Sequence, residues 1–358
     1  MAVLEKPSSS NDRVERYFRR VLAKVEHGQR LPSVREVMRE CSASRVMVDK
    51  ALSRLQGEGL IETRQRSGLF RTHRITPHHG ADLLYFGYLG SLERGTFHSE
   101  FFHTLTTTLA ERSQSLRMRV MRKDPAPKAC VEELIRTRPG PVIVCEANLD
   151  DLPVIERLKE AGITYLHVFP NIIEPISPCL LVDDEDMLRR QMGHLAELGH
   201  RRVAFLHAAD ENQFARPLWV RRWEFTRLAW EYGFEVRPEW IRFVGWGEPE
   251  KLRSQIRQMM GESVRPTGLI IYDFHVNPVY AELRAGGWVP GKDVSVMGTD
   301  DLPHAAHVDP GLTTVRVSRT EAVSITLKML DMLQAGEDPG IQKMKTKLIV
   351  RGSTGKIT

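Results

Sequence analysis

The sequence predicts an α/β protein in two parts: a small basic domain of three helices and a β-hairpin, then a larger, doubly wound domain. Three observations carry that expectation. Positive charge gathers at one end, three apolar helical stripes and a pair of short strands fill the first seventy-five residues, and strand-like and helix-like runs alternate through the rest of the 358 residues.

Through Ile75 there are 16 Lys/Arg against 9 Asp/Glu, a net of +7, and the remainder carries −2, so the formal +5 belongs to the first fifth of the chain. Such asymmetry points to a polyanionic partner for the N-terminal part, with solvated surface charge as the bland alternative. Cys41, Cys130, Cys145 and Cys179 are scattered, without a C-x-x-C pair or a histidine spacing that would bind zinc. No metal or other cofactor is expected, and a reducing compartment fits. The opening MAVLEKPSSSNDRVERYF lacks a signal-like apolar stretch and no run of eighteen apolar residues occurs, so a cytoplasmic chain without membrane contact is expected. Residues 6–12 have the composition of a short disordered leader.

Val14, Tyr17, Phe18, Val21, Leu22 and Val25 recur at three- and four-residue spacing and predict a helix over 13–26, its outer face carrying Arg16, Arg19, Arg20 and Lys24. Ser33 with Glu36 three residues on forms a capping-box pattern for a second helix over 34–40. Ser42 or Ser44 caps a third, running to about 56, with Val48, Ala51, Leu52 and Leu55 inward, and Gly57-Glu58-Gly59 stops it. Residues 60–64 and 69–71 read as strands around the turn Gln65-Arg66-Ser67-Gly68. Three helices plus a hairpin make a winged helix-turn-helix, whose third helix enters the major groove while the hairpin follows the backbone or minor groove.

Residues 76–81 have linker chemistry, separating a domain at 1–75 from one at 82–358. There, apolar runs at 83–88, 141–144, 203–206, 269–271 and 294–297 look like buried parallel strands, with helices at 100–112, 152–161, 187–198, 222–230 and 249–260 between them. Ligands in such sheets gather at the C-terminal ends of strands. The chain has no G-x-S-x-G, Walker A, H-E-x-x-H or G-x-G-x-x-G in a telling context, so catalysis is not expected.

The stretch LPSVREVMRECSASRVMVDKALSRLQGEGLIETRQRSGLF resembles the GntR-type winged-helix motif. It has that family's L-P-S-x-R-E start, S-R-x-x-V-x-x-A-L-x-x-L recognition helix, E-G-L-I turn and G-x-F wing. The resemblance implies DNA contacts by Arg35, Ser44 and Arg45, with Arg66 and Gly68 in the wing. Asp49 stands where the family often has an arginine, and Lys50 beside it is a further candidate. Arg35 has an alternative role as a surface ion pair.

DDEDMLRRQMGHLAELGHRRVAFL, RRWEFTRLAWEYGF, WVPGKDVSVMGTDDLPHAAHVDPGLTTVRVSRTEA and LIVRGST resemble, in order, the LacI-type effector domain, which has the periplasmic-binding-protein-like fold. A GntR-type head on such a body is the arrangement of arabinose-repressor-like regulators. The likeness implies two lobes, a cleft crossed by the chain three times, and cleft residues Arg221 and Asp300. It also implies aromatic walls at Phe97 and Trp246, a lining acid at Asp183, and Tyr272 where the family commonly has Asn. Arg and Asp suit a polyol, and flat rings suit the apolar faces of a sugar. Arg221 with Asp300 as a plain inter-lobe ion pair, Phe97 and Trp246 as packing aromatics, and Asp183 as a helix cap remain alternatives. The expected function is a dimeric repressor of a double-stranded DNA operator, controlled by a small molecule such as a sugar. A regulator answering to a protein partner or a non-sugar metabolite is the alternative.

Overall fold

The computed structural model describes residues 10–22, 24–25, 28–57, 60–64, 67–71, 80–121, 127–137, 140–208, 216–245 and 248–356. The chain divides into two units, with the boundary between residues 79 and 80. Gly80 and Ala81, expected in the linker, already belong to the first strand of the second unit.

The first unit is a three-helix head with a hairpin: α1 (Ser10–Leu22), α2 (Val34–Cys41), α3 (Arg45–Gly57), β1 (Ile61–Arg64) and β2 (Gly68–Arg71). Val14, Phe18 and Leu22 of α1, Val37 and Cys41 of α2, Val48, Leu52 and Leu55 of α3, and Ile61 and Leu69 of the hairpin form one buried cluster. Each large side chain so removed from water contributes about 2 kcal/mol. Ser33 and Glu36 make the expected reciprocal cap, Glu36 N–H donating to Ser33 Oγ (3.3 Å) and Ser33 N–H to Glu36 Oε2 (2.6 Å).

α1 stops at Leu22, short of residue 26. Lys24 and Val25 N–H still donate to Val21 O, and from Gly28 the backbone pairs with β2: Gly28 N–H donates to Arg71 O, Arg71 N–H to Gln29 O and Leu31 N–H to Leu69 O. Val25 still packs on the head core. β1 and β2 pair antiparallel from Ile61↔Arg71 to Arg64↔Gly68. Gly68 has φ +106, a left-handed value that a side chain rarely adopts, so the turn requires it.

The second unit holds two lobes. One contains β3 (Gly80–Tyr85), α4 (Phe97–Glu111), β4 (Ser115–Val120), α5 (Pro127–Thr137), β5 (Val142–Cys145), α6 (Leu152–Glu160), β6 (Tyr165–Val168) and β7 (Cys179–Val182). The chain then crosses to α7 (Asp184–Glu197), β8 (Val203–Ala208), α8 (Arg216–Glu231), β9 (Ile241–Val244), α9 (Pro249–Gly261), β10 (Gly268–Ile270), α10 (Val276–Ala285), β11 (Ser295–Asp300) and β12 (Thr313–Arg316). It returns for α11 (Arg319–Gln334) and β13 (Ile341–Met344), and crosses a third time into β14 (Lys347–Ile349). The sheet orders are β13-β7-β6-β5-β3-β4, all parallel, and β14-β12-β11-β10-β8-β9, parallel except for antiparallel β14. Separate apolar clusters cover both faces of each sheet, which explains the near-continuous apolar strand sequences.

The crossings are tied to one another. Lys345 Nζ donates to Asp183 Oδ2 (2.7 Å), and Thr346 donates from both N–H and Oγ1 to Asp186 Oδ2 (2.9 and 2.8 Å), linking the first crossing to the third. Burial would raise the Asp186 pKa, but Arg190 and Thr346 bring it down to about 2. At the second crossing, Arg319 donates to the carbonyls of Asp300 (2.6 Å) and Asp301 (2.9 Å).

Candidate functional site

In the head, Ser44 precedes α3 and accepts from Met47 N–H, so the exposed first turn of that helix carries Ser44, Arg45, Val46, Asp49 and Lys50 outward. Val46 is 76% exposed, an unusual state for valine in a helix that buries Val48 completely. Arg45 Nε lies 3.4 Å from Asp49 Oδ2, so the acid at the family's arginine position steers the arginine beside it. Arg54 pairs with Glu15 of α1 (3.1 Å) and braces α3 against its neighbour. Arg35 is exposed on the first turn of α2, while Arg66 lies outside the described residues.

In the body, the predicted cleft residues Arg221, Tyr272 and Asp300 come together. Arg221 projects from α8 and is 8% exposed; its Nε donates to Asp184 Oδ1 (2.8 Å), itself 3% exposed, and its Nη1 donates to the Tyr272 hydroxyl. The phenol is left to donate to His207 Nε2 (3.4 Å), making a chain from guanidinium to imidazole. Burial pushes the Tyr272 pKa up, Arg221 opposing it, so the phenol stays neutral. Burial also raises Asp300, while Arg221, Arg319 and His98 hold it down.

His98 belongs to the other lobe. Its Nε2 lies 3.1 Å from Glu146 Oε1, and Glu146 Oε2 accepts from the Tyr85 hydroxyl (3.0 Å), which also contacts Ser91. Gly87 makes this junction possible, because a Cβ there would collide with the Glu146 carboxylate and the Tyr85 ring. Phe97, at the start of α4, stands edge-on to Phe169 and His98, each 5.3 Å between ring centres.

Glu146, Phe169, Asp300 and Asp301 all have left-handed backbone, with φ of 55, 52, 97 and 52. Each lies at the C-terminal end of a parallel strand, where such conformations, costing on the order of 1 kcal/mol or more apiece, tend to mark functional sites.

Asp183 sits elsewhere in this arrangement. Its Oδ1 accepts from Asp186 N–H as the cap of α7 and its Oδ2 from Lys345, so the hinge uses both oxygens. The carboxylate that reaches Arg221 is its neighbour Asp184, which sequence reasoning did not single out. Trp246 lies outside the described residues. Glu146, Tyr85, His98 and His207 were also missed; a charge directly after the apolar run 142–145 is the signal that could have found Glu146. Asp273, following Tyr272, accepts from Leu302 N–H and Thr314 Oγ1 (both 2.8 Å) and supports the turn after β11.

Residues 12–70 match the family described as bacterial regulatory proteins, gntR family, and residues 192–354 match the periplasmic binding protein-like domain. The arabinose metabolism transcriptional repressor of Geobacillus stearothermophilus is 25% identical over 353 residues, covering 94% of each chain. The lactose operon repressor of Escherichia coli (strain K12) is 26% identical over 235 residues, covering 63% of this chain and 62% of that protein. Among solved structures, the Lac repressor bound to ONPG in the repressed state superposes with a TM-score of 0.66 at 19% identity, over 98% of this chain and 100% of that one. The CelR–cellobiose complex gives 0.65 at 20% identity, over 87% and 91%. At such identities the structural likeness speaks for the fold alone. No helix among the described residues is long and apolar enough to cross a membrane. The chain is a homologue of the arabinose repressor and of LacI-type regulators, with a gntR-family DNA-binding domain ahead of a periplasmic-binding-protein-like domain.

Proposed function

We propose that the chain is a cytoplasmic transcription repressor that binds operator DNA as a homodimer and is controlled by a neutral polyhydroxylated metabolite, a sugar or sugar derivative, held between its two lobes. The DNA half is supported by the exposed Ser44, Arg45, Val46 and Lys50 at the start of α3. Arginine can read guanine with two hydrogen bonds and valine can pack on a thymine methyl, while Arg35 and the wing residues Arg66 and Gly68 meet the backbone. A two-fold protein suits a pseudo-palindromic site.

The ligand half is carried by one observation, the buried Arg221–Asp184–Tyr272 cluster beside Asp300. Fixed donors next to acceptors are what hydroxyl groups require. The charge balance narrows the ligand further. The carboxylates of Asp184, Asp300 and Glu146 stand beside Arg221 and Arg319, with His98 bonded to Glu146, so each guanidinium there already faces an acid and a phosphate or carboxylate on the ligand would add an anion in a poorly solvated place. Phe97, and Trp246 by its sequence position, are the proposed walls for a sugar face.

The test is fluorescence anisotropy with DNA from upstream of the gene, at two salt concentrations, against neutral sugars, a sugar phosphate and a sugar acid. The expected result is tight binding that weakens steeply with salt and is altered by one neutral sugar. Arg221→Ala should abolish that response and keep operator affinity. Indifference to every sugar would sink the sensing half, and a response to the sugar phosphate would sink the charge argument.

A further inference from the structure

The backbone at 28–31 pairs with the edge of β2 that β1 leaves open, so β2 is the middle strand of the wing. Arg30 stands opposite Phe70 in an antiparallel bridge, and Phe70 stands opposite Glu62 of β1. Residues directly opposite one another share a face, so Arg30, Phe70 and Glu62 line the outer face, while Leu31, Leu69 and Ile61 are buried on the other.

The exposed Arg30 side chain does not stay in its own row. It leans along β2 by two residues, about 7 Å, toward the hairpin turn. A Cβ on Gly68 would stand 3.4 Å from its Nε and 3.5 Å from its Nη2, so the guanidinium rests on the glycine, and a longer side chain there would take its place. Gly68 thus has two tasks: the φ of +106 and the open seat for Arg30.

Charge sets Arg30 apart from its basic neighbours. Arg64 crosses the Phe70 ring, 4.3 Å from its centre, and pairs with Glu62 (2.6 Å). Arg45 lies beside Asp49, and Arg54 is held by Glu15. Among the described residues Arg30 has no such carboxylate partner; Glu36 feels its charge but accepts from Ser33 N–H instead. A guanidinium fixed in place with its donors uncommitted is suited to a phosphate, which it can meet with two parallel hydrogen bonds.

We infer that Arg30 binds an operator phosphate from its seat on Gly68, a contact made ahead of α2 and outside both the hairpin turn and the first turn of α3. Its place on the strand, at Gly68 and not beyond it, suits the DNA backbone over base edges on the groove floor. The inference rests on the DNA-binding reading above and adds to it a residue and the group it holds.

The experiment is fluorescence anisotropy of the full chain on labelled upstream DNA and on a random duplex of equal length, from about 50 to 200 mM salt, with wild type, Arg30→Gln and Arg30→Lys. One phosphate contact adds about 0.9 to the slope of log affinity against log salt, so across that fourfold range wild type should lose about 3.5-fold more affinity than Arg30→Gln. The low-salt weakening should be equal on the two duplexes, with an unchanged circular dichroism melt. Arg30→Lys keeps the charge and should keep the wild-type slope, which supplies the comparison should Arg30→Gln fold poorly. Equal slopes for wild type and Arg30→Gln would overturn the inference, as would a lysine variant whose slope falls below that of wild type. Weakening on the upstream DNA alone would make Arg30 a reader of bases and overturn the phosphate assignment. A wild type that binds neither duplex would sink the DNA-binding reading itself, and this inference with it.

Discussion

Replacing Arg221 by Met removes the guanidinium bonded to Asp184 and leaves two buried carboxylates, Asp184 and Asp300, with less opposing charge. Breaking a buried ion pair from one side costs about 3–5 kcal/mol, because the surviving charge keeps its desolvation penalty. In a unit of this size each kcal/mol lowers Tm by about 2 °C, so the variant should melt about 6–10 °C below wild type near neutral pH. The sign with pH is fixed by linkage. Loss of the cation pushes the already raised Asp300 pKa further up, so the folded variant binds more protons than the unfolded chain and regains stability as pH falls. The Tm gap should therefore narrow as pH falls. Arg221→Lys, which keeps the charge and loses the planar fork, should recover part of it. Differential scanning fluorimetry across a pH series measures all three curves. A gap that is absent, or identical at every pH, would refute the view that Arg221 neutralises these acids.

Three further outcomes are expected. His167, His200 and His275 are buried with pKa values lowered to about 4 by desolvation, so the unfolded chain binds protons that the folded one refuses; each should cost about 2 kcal/mol between pH 7 and pH 5. Urea titrations at the two pH values check this, and an unchanged midpoint would contradict it. Asp49→Ala should tighten operator binding several-fold at low salt, since it removes an anion from the DNA face and releases Arg45. Weaker binding in the anisotropy assay would instead make Asp49 a reader of cytosine. Gly87→Ala should melt below wild type and lose the ligand response, because its Cβ displaces Glu146 and the buried Tyr85 ring; isothermal titration of the folded variant with the responsive sugar tests it, and unaltered affinity would remove that junction from the site.

The head was legible because its signals are local. The capping box at Ser33 and Glu36 and the apolar stripes of α1 and α3 act within a few residues, and they appear as expected. The pairing of residues 28–31 with β2 was not legible, since that partner lies forty residues away. β4 was missed because Arg117 and Arg119 interrupt its apolar pattern; both bond the buried Asp82 of the adjacent strand, a compensation that no local reading shows. The same limit explains Asp183. Adjacent acids at a helix start differ by about 100° in direction, and only packing decides which one caps the helix and which one meets Arg221.

That one-residue division has a mechanical consequence. Asp183 ties the first crossing to Lys345 on the third, and Asp184, its neighbour, holds Arg221. Asp300 sits beside Asp301, whose carboxylate pairs with Arg316 (2.6 Å) and Arg351 (2.8 Å) and whose carbonyl accepts from Arg319 at the second crossing. The acceptors proposed for the ligand are thus one peptide removed from the bonds that set the crossings. A ligand that competes with Asp184 or Tyr272 for the Arg221 guanidinium would change bonds one residue away from those at the crossings. Such a ligand shifts the lobes only by the difference in its affinity for the two arrangements. The Asp184→Asn variant separates the two roles, because it keeps the shape beside Arg221 and leaves Asp183 with Lys345. It should weaken ligand binding while the ligand-free protein keeps wild-type operator affinity. Altered operator affinity without ligand would show that the Asp184–Arg221 bond sets the resting arrangement as well.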